Sequence, residues 1–401
     1  MGELKRIASS ASVSVVASIA STTAASIGAP RLAVPTDSPD YVNPLESSSR
    51  WYLNARASAV RYAASLGFNL SNVSDPSAPS PTREIWLDAT LSACKGRQKI
   101  KVEVWVPPRM SGEPRAAVIN FHGGGWILGQ GTDDARWAGA VMGALDAVVF
   151  TVNYRLAPTY PFPVPIEDCV DSVMQIVARA AEFGIKPDRV MLSGFSAGAT
   201  IALSSWIVLQ DLAHWGYDVP DTPPAAIGLI LFYPTLDITM SRPEKRQLCA
   251  RPELTLSSGL TDLMDASYIY PSVSRDERAD PRLSPGLMCD ELVRKLPPVH
   301  LCLCEYDMLL TEGLRFAQRL QINRKPFSIR VVAGESHAWD KPPPMMPKES
   351  VSIEYGEATQ AMSRWLGQER ETDRDSTSSK KSRRRRLRRP SYWSFRTRNS
   401  R

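Results

Sequence analysis

Between residues 81 and 367 the apolar positions follow two alternating rhythms. In 100–106, Ile100, Val102, Val104 and Val106 share one face at a period of two, the pattern of a half-buried strand. With 84–88 it predicts a leading hairpin. Short unbroken apolar runs at 116–120, 147–152, 190–193, 227–232, 300–304 and 327–332 predict strands covered on both faces. Longer helical patterns lie between most of them, as at 166–182, 197–212, 312–322 and 354–366. Strands alternating with helices predict an α/β fold on a mostly parallel, twisted sheet. The rhythm breaks from about 238 to 296, a stretch rich in Pro, Ser and charge with no strand pattern. A long insert of this kind is expected to be a lid or binding element. Residues 43–70, carrying Trp51, Tyr52, Tyr62 and Phe68, are expected to pack beside it. The organisation expected is an N-terminal extension (1–40), a segment packing beside the insert (41–80), an α/β domain (81–367) interrupted by that insert (238–296), and a basic tail (368–401).

Composition narrows the class. With 43% hydrophobic and 22% charged residues among 401, global disorder and a fibrous repeat are excluded. No uncharged run is dense enough in Leu, Ile, Val and Phe to predict a polytopic membrane protein. The net charge of +6 comes from the tail, where residues 376–401 hold 11 basic and no acidic side chains. Without them the body has 37 basic against 42 acidic residues, a net of −5. Such a tail, with Arg383 to Arg386 at its centre, can be a nuclear-import signal or a nucleic-acid contact. The preferred reading is a solvated run of like charge with no nucleic-acid partner. Residues 7–28 are uncharged and follow Lys5 and Arg6. They suit a targeting or anchoring segment, but small polar residues interrupt them so often that a simple extension is preferred. A cytoplasmic location is expected, with membrane association through 7–28 and nuclear import through the tail as the alternatives. Six scattered cysteines form no C-x-x-C pair, and the four histidines do not cluster with them, so free thiols and no metal site are expected.

The chemistry centres on Gly194-Phe195-Ser196-Ala197-Gly198, a G-x-S-x-G run between a predicted strand and a predicted helix. A serine on so sharp a turn has its hydroxyl exposed above the sheet, and side chains at Gly194 and Gly198 would collide with neighbouring backbone. Upstream, the run 116–120 leads into His122-Gly123-Gly124-Gly125. The bare backbone lets the N–H groups of Gly123 and Gly124, with that of Ala197, approach a developing oxyanion. Phosphate binding is the rival for a glycine-rich loop, but neither G-K-[ST] nor G-x-G-x-x-G is present.

A nucleophilic serine needs a base, and the base an orienting acid. Of the four histidines, His122 leaves a strand and suits a structural hydrogen bond, while His214 and His300 suit solvent and packing. His337 stands in a loop beyond the carboxyl end of a strand, where ligand chemistry collects in such sheets. Asp307 is the expected acid, with Glu305 and Asp340 as runners-up. The order Ser196, Asp307, His337 is that of the α/β hydrolases.

From about residue 84 to 366 the chain resembles the hormone-sensitive-lipase-like branch of the α/β hydrolases, the carboxylesterase and arylacetamide deacetylase type. The resemblance rests on His122-Gly123-Gly124-Gly125, on Tyr154-Arg155-Leu156-Ala157-Pro158 with Phe162-Pro163 and Glu167-Asp168, and on Gly194-Phe195-Ser196-Ala197-Gly198. It continues through Ser284-Pro285, Leu296-Pro297-Pro298, Glu305-Tyr306-Asp307 and His337. It implies a Ser–Asp–His triad, a cap, and a serine esterase acting on short-chain or aromatic acyl esters without metal or cofactor. A role in secondary metabolism is an expectation on family grounds alone. The chain departs from the family's habit at Phe195, Ala199, Met308, Ala338 and Trp339. Two rivals share the fold: an amidase or deacetylase using the same triad, and a non-catalytic small-ligand receptor.

Overall fold

The computed structural model describes residues 41–74, 78–92, 98–108, 112–219, 222–341 and 347–368, with backbone alone for 67–74. The 1–40 extension, Phe68, Cys94 and the basic tail's charges therefore lie outside the described side chains. One eight-stranded sheet organises the rest. Its strands are β1 (Arg83–Asp88), β2 (Lys99–Trp105), β3 (Arg115–Phe121), β4 (Val148–Asn153), β5 (Ile185–Phe195), β6 (Ala226–Phe232), β7 (Val299–Tyr306) and β8 (Phe327–Ser336). They lie in the order β1-β2-β4-β3-β5-β6-β7-β8. β1, β2 and β4 pair antiparallel, with Ile85 opposite Val102 and Val104 opposite Phe150. Every later pair is parallel, so the expected hairpin leads into the expected parallel sheet.

Parallel strands need crossovers, and these cover both faces. On one face lie α3 (Val164–Ala178), α5 (Ala197–Gln210) and α9 (Leu310–Ile322), on the other α2 (Ala135–Leu145) and α10 (Glu349–Trp365); α1 (Arg50–Ser74) packs instead against residues 258–268. The period-two alternation of β3 divides its side chains accordingly, Ile119 and Phe121 to the first core and Val118 to the second. α5 carries no charge and is buried from Ala197 to Leu209, as a helix apolar on all sides must be. Two of its polar members turn to carbonyls: Thr200 Oγ1 donates to Thr235 O (2.7 Å) and Ser204 Oγ to Arg282 O (2.7 Å).

Three expectations need correction. The helix foreseen over 166–182 breaks at Arg179 (φ −100°, ψ 24°) into α3 and a single turn, α4 (Ala180–Phe183), which Gly184 closes at φ +62°. β8 is not covered on both faces. It is the sheet's last strand, and Phe327 to Val331 are only half-buried. It also runs on to Ser336, so the loop that carries His337 begins at that residue rather than after Val332.

The 238–296 stretch has no strand. It holds α6 (Arg242–Gln247), α7 (Ser258–Tyr268), α8 (Asp290–Lys295) and two short 3-10 turns. The N-terminal helix packs against it as foreseen. Tyr41 Oη donates to Asp262 Oδ1 (2.9 Å), Asn43 Nδ2 to Asp262 O (2.8 Å), and Arg50 lies over the Tyr270 ring.

Candidate active site

β5 delivers Ser196 to the carboxyl edge near the middle of the sheet. The residue takes φ 52°, ψ −119°, a conformation that costs an L-residue of order 1–3 kcal/mol and persists only where its surroundings impose it. Ser196 N donates to Phe232 O (2.9 Å), while Ala199 N and Thr200 N donate to Ser196 O (3.0 and 3.1 Å). A Cβ on Gly198 would lie 2.0 Å from Phe121 O, and one on Gly194 2.4 Å from Gly198 O. The two glycines let strand, turn and helix interlock beneath the hydroxyl.

Two separate parts of the chain meet that hydroxyl. His337 Nε2 lies 2.8 Å from Ser196 Oγ, and His337 Nδ1 lies 2.6 Å from Asp307 Oδ2. The Asp307 carboxylate is buried, and its other oxygen accepts the N–H of Leu309 (3.0 Å). This network assigns the ring proton to Nδ1 and leaves Nε2 free to accept from the serine. The rejected acids are engaged elsewhere. Glu305 accepts the N–H of Gly334 (2.6 Å), and Asp340 accepts the hydroxyls of Tyr233 (2.5 Å) and Tyr355 (2.6 Å).

The glycine loop after β3 passes beside this turn. A Cβ on Gly123 would be 3.1 Å from Phe195 O and 3.6 Å from Ser196 Cβ, so the peptide lies against the serine. Gly124 adopts φ +116°, and a side chain there would meet Leu128 O at 2.2 Å. Among the described residues, no main-chain carbonyl takes the N–H of Gly123, Gly124 or Ala197. Gly125 bends the loop toward α7, where Met264 Sδ would be 2.3 Å from an added Cβ. Such a set of atoms can move a proton from hydroxyl to ring and hold charge on an oxygen.

Above it lies a cavity of about 420 Å³. Leu256, Leu260 and Met264 form an apolar wall from the 238–296 stretch, and Phe195, Tyr233 and Trp339 line the sheet side. Two aromatics, of α1 and of the 238–296 stretch, lie away from this cavity. Trp51 is 72% exposed, and Tyr268 is buried in a stack on Trp126 with ring centroids 4.2 Å apart. Phe195, between Gly194 and Ser196, stacks on Phe232 at 4.5 Å, with Lys341 Nζ 3.4 Å from its ring centroid. Asp133 is part of the cavity wall. Burial, and then the neighbouring Asp134 charge, push its carboxyl up to about 7. Tyr233, Lys341 and Asp133 were not singled out from sequence. Only Tyr233, just beyond the carboxyl end of a strand, carried a signal that could have found it.

The other histidines hold structure. His122 is buried, its ring stacked on Tyr154 at 4.2 Å and its Nδ1 2.7 Å from Gly123 O. His300 Nδ1 lies 2.8 Å from Ser328 Oγ, and His214 is exposed beside Trp215. Burial pushes His122 and His300 down to about 4, helped by the charges of Lys341 and Arg330 respectively. An unfolded chain protonates both rings near pH 6.5, the folded chain only near 4. Their contribution is therefore complete above about pH 6.5 and is lost as the pH falls toward 4, by about 3 kcal/mol per ring. Asp133 works in the opposite sense, so the comparison must be between proteins. The melting temperature of His300→Gln should fall less steeply than the wild type's between pH 7 and 4.5; equal slopes would refute the assignment.

Arg155 and Asp168, from the motifs around Tyr154 and Glu167, form a buried pair. Arg155 Nη2 lies 2.5 Å from Asp168 Oδ1, and Arg155 N donates to Asp168 Oδ2 (2.8 Å). The pair fixes the turn after β4 whose residue Ala157 accepts from Arg61 of α1 (2.6 Å). Among the described residues the five cysteines are unpaired, and no group of His, Cys, Asp and Glu could hold a metal. No described helix is long and apolar enough to cross a membrane.

A profile of the alpha/beta hydrolase fold family matches residues 118–341. Fold and family together make the protein an α/β hydrolase. More narrowly, it belongs to the hormone-sensitive-lipase-like family within that fold and is a carboxylic ester hydrolase. Arylacetamide deacetylase of Bos taurus is 27% identical over 274 residues, spanning 55% of this chain and 67% of that protein. Carboxylesterase NlhH of Mycobacterium tuberculosis is 30% identical over 244 residues, spanning 60% and 72%. Among solved structures, a hyperthermophilic esterase from the archaeon Pyrobaculum calidifontis superposes with a TM-score of 0.63 at 22% identity, covering 78% of this chain and 96% of that one.

Proposed function

We propose that the protein cleaves carboxylic esters of small apolar or aromatic substrates through an acyl-enzyme on Ser196. His337 takes the serine proton as the hydroxyl attacks the ester carbonyl. Asp307 keeps the ring in the required tautomer and stabilises the imidazolium. The N–H groups of Gly123, Gly124 and Ala197 receive the oxyanion, and His337 then protonates the leaving alcohol. Water activated by the same ring releases the acid. His122, Gly125, Gly194 and Gly198 shape the loops that hold these groups. Helix α1 and residues 238–296 act as a cap, whose Leu260 and Met264 favour an apolar acyl or alkoxy group.

The observation that carries the reading is the continuous path Oγ to Nε2 (2.8 Å) and Nδ1 to Oδ2 (2.6 Å). A deacetylase acting on arylamides is the second reading, favoured by the similarity to arylacetamide deacetylase. Matched p-nitrophenyl esters and p-nitroanilides of acetate, butyrate and phenylacetate separate the two. Esters should be preferred by at least about 100-fold in kcat/KM, and anilides turned over as fast as esters would reverse that order. A fluorophosphonate probe should label the protein once, at Ser196. No labelling would leave a ligand receptor as the better reading.

A further inference from the structure

We propose that Tyr233 is a positioning residue that holds the imidazole of His337 against Ser196, and that Asp340 clamps it in place. This rests on reading His337 as the base.

Tyr233 is the first residue beyond β6, and its backbone is in the left-handed region at φ 39°. A bulky non-glycine residue is strained there, so its neighbours must impose the conformation. Both ends of the side chain are held. At the backbone, Tyr233 N donates to Cys302 O of β7 (2.7 Å). At the tip, the hydroxyl donates to Asp340 Oδ1 (2.5 Å). Between them the ring meets the His337 imidazole at 4.8 Å between centroids and 64° between planes, with Trp339 against it at 5.6 Å. Asp340 follows His337 by three residues, so the path from His337 through the Tyr233 ring to Asp340 closes back on the same short segment.

That carboxylate is itself anchored. Its other oxygen accepts from Tyr355 Oη of α10 (2.6 Å) and lies 3.2 Å from Lys341 Nζ. Lys341 bonds Asp134 Oδ1 (2.6 Å), and Asn120 Nδ2 of β3 donates to Asp134 Oδ2 (2.7 Å). Burial first, and then the Asp340 charge, push the Tyr233 phenol well up, so it stays a donor at any working pH. β8 is an edge strand, paired on one side only, with β7. The clamp adds a second hold on the imidazole, from β6, α10 and β3.

A purely structural role would lower stability but leave each folded molecule equally active, so kcat is to be measured per site titrated with a fluorophosphonate. Tyr233→Leu removes ring and clamp and should lower kcat about 30-fold with KM within about twofold; Tyr233→Phe keeps the ring and should recover most of this, leaving kcat about 3- to 5-fold below wild type. Tyr355→Phe loosens Asp340 at one remove from the imidazole and should lower kcat per site by less than Tyr233→Phe does. If Tyr233→Leu fails to fold, Tyr233→Phe decides alone. Wild-type kcat per site in the Tyr233 variants, whatever their stability, would overturn the inference. Ser196→Ala, run alongside, keeps the two questions apart, since hydrolysis surviving in it would instead remove the reading of the site.

Discussion

Ser196→Ala is expected to lower kcat/KM for p-nitrophenyl butyrate by about 10⁴ or more, with His337→Ala close to it and Asp307→Asn in the same range. The Ser196 hydroxyl is the proposed attacking atom, and without it only water held near the N–H groups of Gly123 and Gly124 remains. His337→Ala leaves the hydroxyl without an acceptor 2.8 Å away. Asp307→Asn keeps the shape but presents an amide that can favour the wrong ring tautomer, so geometry survives and proton transfer does not. The three losses should not add. The residues act as one unit, and a triple variant should be about as slow as the worst single one. A loss under about tenfold for Ser196→Ala would sink the assignment, as would a triple variant far slower than any single one.

Gly198→Val should cost the fold as well as the reaction. An added Cβ falls 2.0 Å from Phe121 O and 2.4 Å from His122 O. Both are backbone atoms, so no side chain can swing aside. Either α5 withdraws from β3 or the glycine loop shifts away from Ser196. We expect a destabilisation of about 4 kcal/mol or more, beyond ordinary overpacking, read as a melting temperature at least about 8 °C lower. The surviving folded fraction should label slowly with a fluorophosphonate. A variant melting within about 2 °C of wild type would show that the strand and helix are less tightly interlocked than these distances require.

Residues whose role depends on local backbone were legible in the sequence. The turn at Ser196 needs small residues on either side, and Gly194 and Gly198 supplied that signal without any knowledge of the sheet. The glycine run at 123–125 spoke in the same way. His337 emerged by elimination and by its place after a strand. What the sequence hid was set by distant partners. Asp307, Glu305 and Asp340 are chemically alike; a place after a strand favours Asp307, but what engages each, His337 for Asp307, Gly334 for Glu305 and two tyrosines for Asp340, is set by the fold. The cavity wall was not legible for the same reason: Trp51, expected to pack beside the insert, faces solvent, while the unremarked Leu260 and Met264 face the site because α7 folds back onto the glycine loop. The break at Arg179 escaped notice because helical periodicity continues through it. The end of β8 did too, since strand pairing, which apolar runs do not report, carries it to Ser336.

The edge position of β8 ties the proposed base to the periphery of the sheet. The oxygen and the carboxylate sit at the ends of interior strands, whereas the nitrogen between them follows an edge ribbon paired on one side only, the last described one in chain order. A molecule whose outer ribbon has come away would keep two of the three groups and is expected to be inert toward ester. Turnover would then count only molecules in which that seam is closed.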